Sequence, residues 1–448
     1  MFKLAFKNFL SSSGVKIGIA FLIITGLVSL IVGNQFLAKQ AENVEATAAY
    51  QKAHISKNVQ YHPDELGLLL YYVKFSLVNQ TERINSLSIG QRDVNPSIQS
   101  VTIRGLEGQK YDADLQNPSN LLLGNIDFSF VLIYLFPLFI IAFTYNIISE
   151  ERESGTWKIA AVQSSNLFGL ILKLFTVRFL VVVFTLFLTL FLATTFLKIP
   201  LNTRFWLFSG VSFLYILFWF ALSFWVASMS KSSSYNAVTL LSAWILLIIV
   251  LPAMVNSYLV SAYPVPEAME TTVKQRNGYH EKWDMDKKAT IDKFYTHYPQ
   301  FKTFGYPKED FNWLWYYAMQ QMGDDEAAGE SKALREKLAM RNRASTRIAS
   351  FIPSVHMQIQ LNEIAGSGLS NQLRFMDETG RFHEQLRLQF YPAIFKESPA
   401  SSQQWEKFEI ENFSDNNMTS ATSAALPLVV AILLFSVLGW VRFRTMVS

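Results

Sequence analysis

Residues 128–149 read FSFVLIYLFPLFIIAFTYNIIS, and the chain runs straight on into Glu150-Glu151-Arg152-Glu153-Ser154-Gly155-Thr156-Trp157-Lys158. Twenty-two uncharged, mostly apolar residues are enough for one helix to cross a hydrocarbon core, which needs about 20. The abrupt cluster of charge after them marks the helix leaving the bilayer. Five more stretches lack Asp, Glu, Lys and Arg over comparable lengths: Ile17–Ala38, Phe179–Leu197, Phe205–Ser230, Ser232–Pro266 and Asn416–Val441. The chain therefore reads as an all-α polytopic membrane protein with six transmembrane helices. Composition agrees: half of the 448 residues are hydrophobic, and 17% are charged against roughly 25% in soluble domains. A soluble enzyme and a nucleic-acid partner are excluded on this basis.

The charges also set an orientation. The N-terminus, the segment 150–178, the loop at 231 and the C-terminus carry ten basic and three acidic residues; the remaining 29 basic and 32 acidic residues fall on the other side. Short Lys- and Arg-rich segments stay cytoplasmic, so both termini are expected inside and two large segments outside. The resulting organisation has an interfacial elbow helix at 1–14 and spans at 15–38, 128–149, 167–197, 205–230, 232–260 and 420–441. A small mixed external segment occupies 39–127 and a larger, mainly helical external domain 261–415; a cytoplasmic hairpin lies at 150–166 and a tail at 442–448. No clear small-x-small site comes after the first apolar run, which reads as an uncleaved signal-anchor.

In the third span, Lys173 and Arg178 would each cost about 2.5–3.5 kcal/mol at mid-membrane. The buried part is therefore expected to begin near Phe179, leaving both on the cytoplasmic end with their stems snorkelling. Pro137 and Pro252 fall inside spans two and five, where each removes a helical donor and frees a carbonyl.

The hairpin after span two holds every cytoplasmic acid. Span two is expected to continue as a charged helical end through Glu150, Glu151, Arg152 and Glu153 and to break at Gly155. It would restart near Trp157 and Lys158 as an amphipathic helix capped by Thr156. Glu151-Arg152-Glu153-Ser154-Gly155-Thr156 resembles the Glu-x-Glu-x-Gly-Thr signature of ABC-2 type permeases, where it also comes after the second of six spans. Gly124-Asn125-Ile126-Asp127-Phe128 and Gly90-Gln91-Arg92-Asp93 narrow the likeness to a bacterial subgroup with enlarged external segments, a domain of unknown function akin to the permease of nitrous-oxide-reductase maturation. Ser164-Ser165-Asn166 replaces the proline usual in the family's turn.

The resemblance implies a six-helix fold of ABC-2 exporter type in a bacterial plasma membrane. It implies two copies of a separate ATPase that bind ATP and Mg, and a second permease half, either the same chain or a paralogue. The residues that dock the ATPase would be Glu150, Glu151, Arg152, Glu153, Gly155, Thr156, Trp157 and Lys158. No Gly-Lys pair exists, so no P-loop and no cofactor is expected in this chain. Two rivals stand beside an exporter: a mechanical transmitter acting on an envelope partner, and a membrane scaffold that uses no ATP.

Outside the membrane, Ser100–Arg104 and Gln109–Asp114 are expected to pair as strands about a turn at 105–108. Phe294–Tyr317 packs eleven aromatics into 24 residues. Its Trp313, Trp315, Tyr316 and Tyr317 are either core or an external binding surface for an apolar cargo. All six histidines are external, none with a partner three or four residues away, and no metal site is expected.

Overall fold

The computed structural model describes residues 2–110, 125–157 and 167–447. Six helices in it are long and apolar enough to cross a membrane: Ser13–Tyr61, Phe128–Glu153, Leu167–Phe196, Thr203–Ala227, Ser233–Ala262 and Ala421–Thr445, here spans one to six. Ahead of span one, the helix Phe2–Ser11 is separated from it by an extended residue, Ser12. Phe9 on this short helix is buried, its ring edge-on to Phe143 of span two.

Span one does not stop at the membrane. Its 49 residues form one helix, about 74 Å long at 1.5 Å per residue, so its second half projects beyond the apolar part as a mast. The mast carries the helix Leu66–Tyr72 and a three-stranded sheet ordered β2-β1-β3. In the sheet, β1 (Phe75–Asn79) pairs antiparallel with β2 (Ile98–Val101) and parallel with β3 (Glu411–Phe413). The expected hairpin is corrected here: β2 pairs with β1, and Glu107–Lys110 is a helical turn. Gln109 folds back, accepting from the Thr102 N–H at 2.8 Å and donating to the Gly105 carbonyl at 2.7 Å, so its side chain takes the place of a strand partner. The rest of that second strand, 111–114, lies outside the described residues.

The larger helical region beyond the spans, on the side away from the termini, is built on the 37-residue helix Trp313–Ala349, against which Glu267–Glu281, Lys287–His297 and Leu369–Phe395 pack. Two hydrophobic cores result. One fills the spaces among the spans, and Met357, Leu361 and Ile364 of the helix Pro353–Ala365 join it from the side away from the termini. The other sits in the external domain, around β1 and the aromatic stretch.

Candidate functional site

At the terminus-bearing end of span two, Ser149–Glu153 is helical and Ser154 caps it. Gly155 then turns the chain with φ +76°, and a Cβ built there meets no atom within 4 Å. The glycine is required by its left-handed backbone and not by crowding. The Thr156 hydroxyl turns back to the Glu151 carbonyl at 3.1 Å and also meets the Glu151 carboxylate. It therefore closes the Glu150–Thr156 turn, called the elbow from here on and distinct from the helix Phe2–Ser11, from behind, where the sequence led one to expect a cap on a second helix. Trp157 is half-buried against the membrane core. Lys158 and the expected amphipathic helix at 159–166 lie outside the described residues.

The elbow holds the start of span five. Glu153 accepts from the Ser233 backbone N–H at 2.7 Å and from its hydroxyl at 2.8 Å, the geometry of a carboxylate at a helix N-terminus. Arg152 donates to the Ser230 carbonyl at 3.1 Å, and Ser149 and Ser233 share a 2.8 Å hydroxyl bond. Asn236 of span five donates to the Tyr145 carbonyl of span two at 3.1 Å. Glu150 accepts from Asn146 at 2.6 Å, and Glu151 faces solvent. On span three Lys173 is exposed. Arg178 folds back onto the Leu174 carbonyl, its guanidinium 5.1 Å from the Phe9 ring centroid.

Spans two and five also share a defect. Each opens into a π-helical turn, Val131–Leu135 and Leu246–Val250, just ahead of Pro137 and Pro252. Widening by one residue relieves the ring's clash with the preceding turn and leaves carbonyls without helical donors. Those carbonyls are met from outside: Tyr215 donates to Ile133 at 3.2 Å, Trp244 to Tyr134 at 3.1 Å, and Ser354 to Leu247. In a bilayer no water would do this. Between the two broken turns and the 353–365 helix lies a cavity of about 190 Å³, mainly apolar, with Asn256, Ser354 and Gln358 on its wall.

The end of span two away from the termini is clamped as well. Asp127 accepts from the Phe130 N–H and from the Ile89 N–H, both at 2.8 Å. Burial pushes its carboxyl up to about 6, against the pull of these two donors. Ile89 opens the Gly90–Asp93 turn, whose Arg92 is buried and donates to the Asn79 carbonyl and side chain, the Gln80 carbonyl and the Gly366 carbonyl at 2.9–3.2 Å. Arg204, just inside span four, reaches Glu82 at 2.6 Å and the Asp415 carbonyl at 2.6 Å. An acid one residue before an apolar run is an N-cap signal, so the role of Asp127 could have been found in the sequence alone.

Most of the aromatic stretch is core, while Tyr306 and Phe311 are exposed. Trp315, Tyr316 and Tyr317 are buried, and Trp313 is half-buried with its indole N–H on Glu65 at 2.8 Å. A cargo surface made of these four is therefore corrected: Trp315, Tyr316 and Tyr317 fill the domain, and Trp313 lies at its edge. Beside them lies a group without a local sequence signal. Arg387, 2% exposed, donates to the carbonyls of Ile103 and Arg104, to Gln321 and to Asp324. Asp324 also takes the N–H groups of Leu106 and Glu107.

Residues 268–413 match the family model of a domain of unknown function, DUF3526. The match covers most of the larger external domain and none of the spans. No curated protein and no solved structure matches the chain.

Proposed function

We propose that this chain is the membrane subunit of an ATP-driven exporter of ABC-2 type in a bacterial plasma membrane, with both termini and the elbow on the cytoplasmic side. A separate ATPase, present in two copies with ATP and Mg, would dock at Glu150–Lys158, and a second permease half would complete the pathway. The observation that carries the reading is that the elbow grips spans two and five together, through Glu153 on Ser233 and Asn236 on the Tyr145 carbonyl. These two spans are the ones opened by π turns and facing the outer cavity. Force applied at the elbow would then move both walls of that cavity. The DUF3526 match supports the reading, since that family is associated with ABC-2 type permeases.

One observation favours mechanical output without solute transport: span two is also tied to the external domain, through Asp127 and Arg92. Motion of the span would reach that domain directly.

The test is purification through this chain, identification of bound proteins by mass spectrometry, and ATP turnover after reconstitution. An ATPase should co-purify. Gly155→Val, strained by a positive φ that a β-branched residue rarely adopts, should lower coupled turnover while abundance holds. Absence of any ATPase, or full coupled turnover in Gly155→Val and in Glu151→Ala/Glu153→Ala together, would overturn the assignment. Turnover with no solute entering or leaving vesicles would select the mechanical reading.

A further inference from the structure

Where the helix Trp313–Ala349 comes down to the spans, the stretch from Leu338 to Ile352 leaves four residues exposed: Met340, Arg343, Arg347 and Phe351. Residues three and four apart share one face of a helix, so the four form a single stripe. The Phe351 N–H bonds to the Ile348 carbonyl at 3.1 Å, which carries the turn past the last helical residue. The other faces are occupied. Asn342 donates to Ser370 at 2.9 Å, Ser345 walls the cavity beside Val255 and Leu259 of span five, and Ala349 is buried. Phe351 is 87% exposed, so nothing in this chain covers its ring.

Three contacts fix the level of this foot. Ser354, shortly after Phe351, donates to the Leu247 carbonyl of span five. The His356 imidazole donates to the Ala424 carbonyl in the first turn of span six at 2.9 Å. At the other end of the same helix, Gly366 stands beside Arg204 in the first turn of span four. The helix Pro353–Ala365 therefore lies across the ends of the spans away from the termini. Leu247 is about 21 Å along span five from Ser233, which leaves about 9 Å to the far edge of a 30 Å hydrocarbon core. Phe351 is no more than about 10 Å from Ser354, so its ring meets acyl chains or their boundary with the headgroups. Arg347 and Arg343 come about 6 and 12 Å further along the helix. Arg347 thus falls in the headgroup layer, and Arg343 is within a side chain's length of it.

Charge names the occupant. From Lys337 to Asn362 the sequence contains no Asp or Glu. Arg335 and Lys337, further from the spans, pair with Asp377 and Glu267. Among the described residues Arg343 and Arg347 meet no carboxylate. A second copy packed on this stripe about a two-fold axis would set arginine against arginine. A phosphate can take both guanidiniums, with the phenyl ring in the acyl layer beneath it.

We propose that Arg343, Arg347 and Phe351 bind an anionic phospholipid of the leaflet away from the termini, the arginines holding its phosphate and Phe351 entering beside its acyl chains. The site ties the foot of the helix Trp313–Ala349 to the bilayer surface. It needs only that the spans cross a bilayer, so it stands or falls apart from the exporter reading.

The test uses the full chain, which has no cysteine of its own, with Phe351→Cys carrying bimane and reconstituted in phosphatidylcholine vesicles. Nitroxide-bearing phosphatidylglycerol or phosphatidylcholine, labelled near the headgroup end of one acyl chain, serves as quencher. Both lipids should quench, and iodide on both sides should quench far less than it does with bimane at the exposed Ser56→Cys. Phosphatidylglycerol should be preferred roughly 25-fold, about fivefold for each arginine near an anionic headgroup. Arg343→Ala and Arg347→Ala should each remove one such factor while abundance holds, and Arg347→Lys, which keeps the charge, should retain most of it. Equal quenching by the two lipids, an unchanged preference in both Ala variants, or iodide quenching equal to that at Ser56→Cys would overturn the site. So would efficient disulfide cross-linking of unlabelled Phe351→Cys between two copies, which would make the stripe an interface between chains.

Discussion

The junction between span two and the external domain hangs on one carboxylate, and its removal can be worked through. Asp127 supplies both oxygens to buried backbone donors, Phe130 N–H in its own helix and Ile89 N–H in the neighbouring turn. In Asp127→Ala both donors lose their acceptor, at about 1–3 kcal/mol each. Only the Ile89 bond joins the two segments, so opening of the 83–93 region should become easier by about 1–3 kcal/mol, which speeds its amide exchange at least about 5-fold. Burial, with the nearby Asp93 as a smaller contributor, also raises the carboxyl to about 6. A folded value above the ordinary 3.9 means that the folded state binds the proton more tightly. The associated stability, about 3 kcal/mol, is fully present below pH 4 and is lost as pH rises through 6. Hydrogen exchange of the purified protein, corrected for intrinsic rates, should show the 83–93 peptides better protected at pH 4.5 than at pH 7.5. Asp127→Asn, which cannot ionise, should flatten that difference. Unchanged exchange in Asp127→Ala, or a wild-type pH response in Asp127→Asn, would refute the reasoning.

Two further outcomes are expected. Arg387→Met leaves Asp324 buried without its cation and should cost about 3–5 kcal/mol, seen as lower abundance and earlier thermal unfolding; adding Asp324→Asn should recover part of the loss, and additive losses would contradict the pairing. Because the chain has no cysteine, Cys at Ser56 or Ser401 should react with an impermeant thiol reagent in intact cells, and Cys at Ser12 or Ser154 only after permeabilisation. The reverse pattern would invert the orientation.

Much of the architecture was legible because bilayer physics leaves few choices. A run such as Phe128–Ser149 must satisfy its own backbone, and a helix is how a single segment does so. The positions of Pro137, Pro252 and Gly155 marked the breaks for equally local reasons, and their physical form, two π turns and a positive φ, results from the proline rings and from the absence of a Cβ at the glycine. Outside the membrane local rules weaken. The polar stretch 98–114 offers no strong alternation, and the run Leu66–Val78 does not reveal that it divides into a helix and the strand β1. That strand's neighbours come from residues 98–101 and 411–413, and pairing over such separations is selected by packing. Arg387 and Asp324 make the same point. In sequence each is a charge on a helix, which is ordinarily solvated; only the meeting of the helices Trp313–Ala349 and Leu369–Phe395 over the 103–107 turn removes the water and makes each the other's required partner.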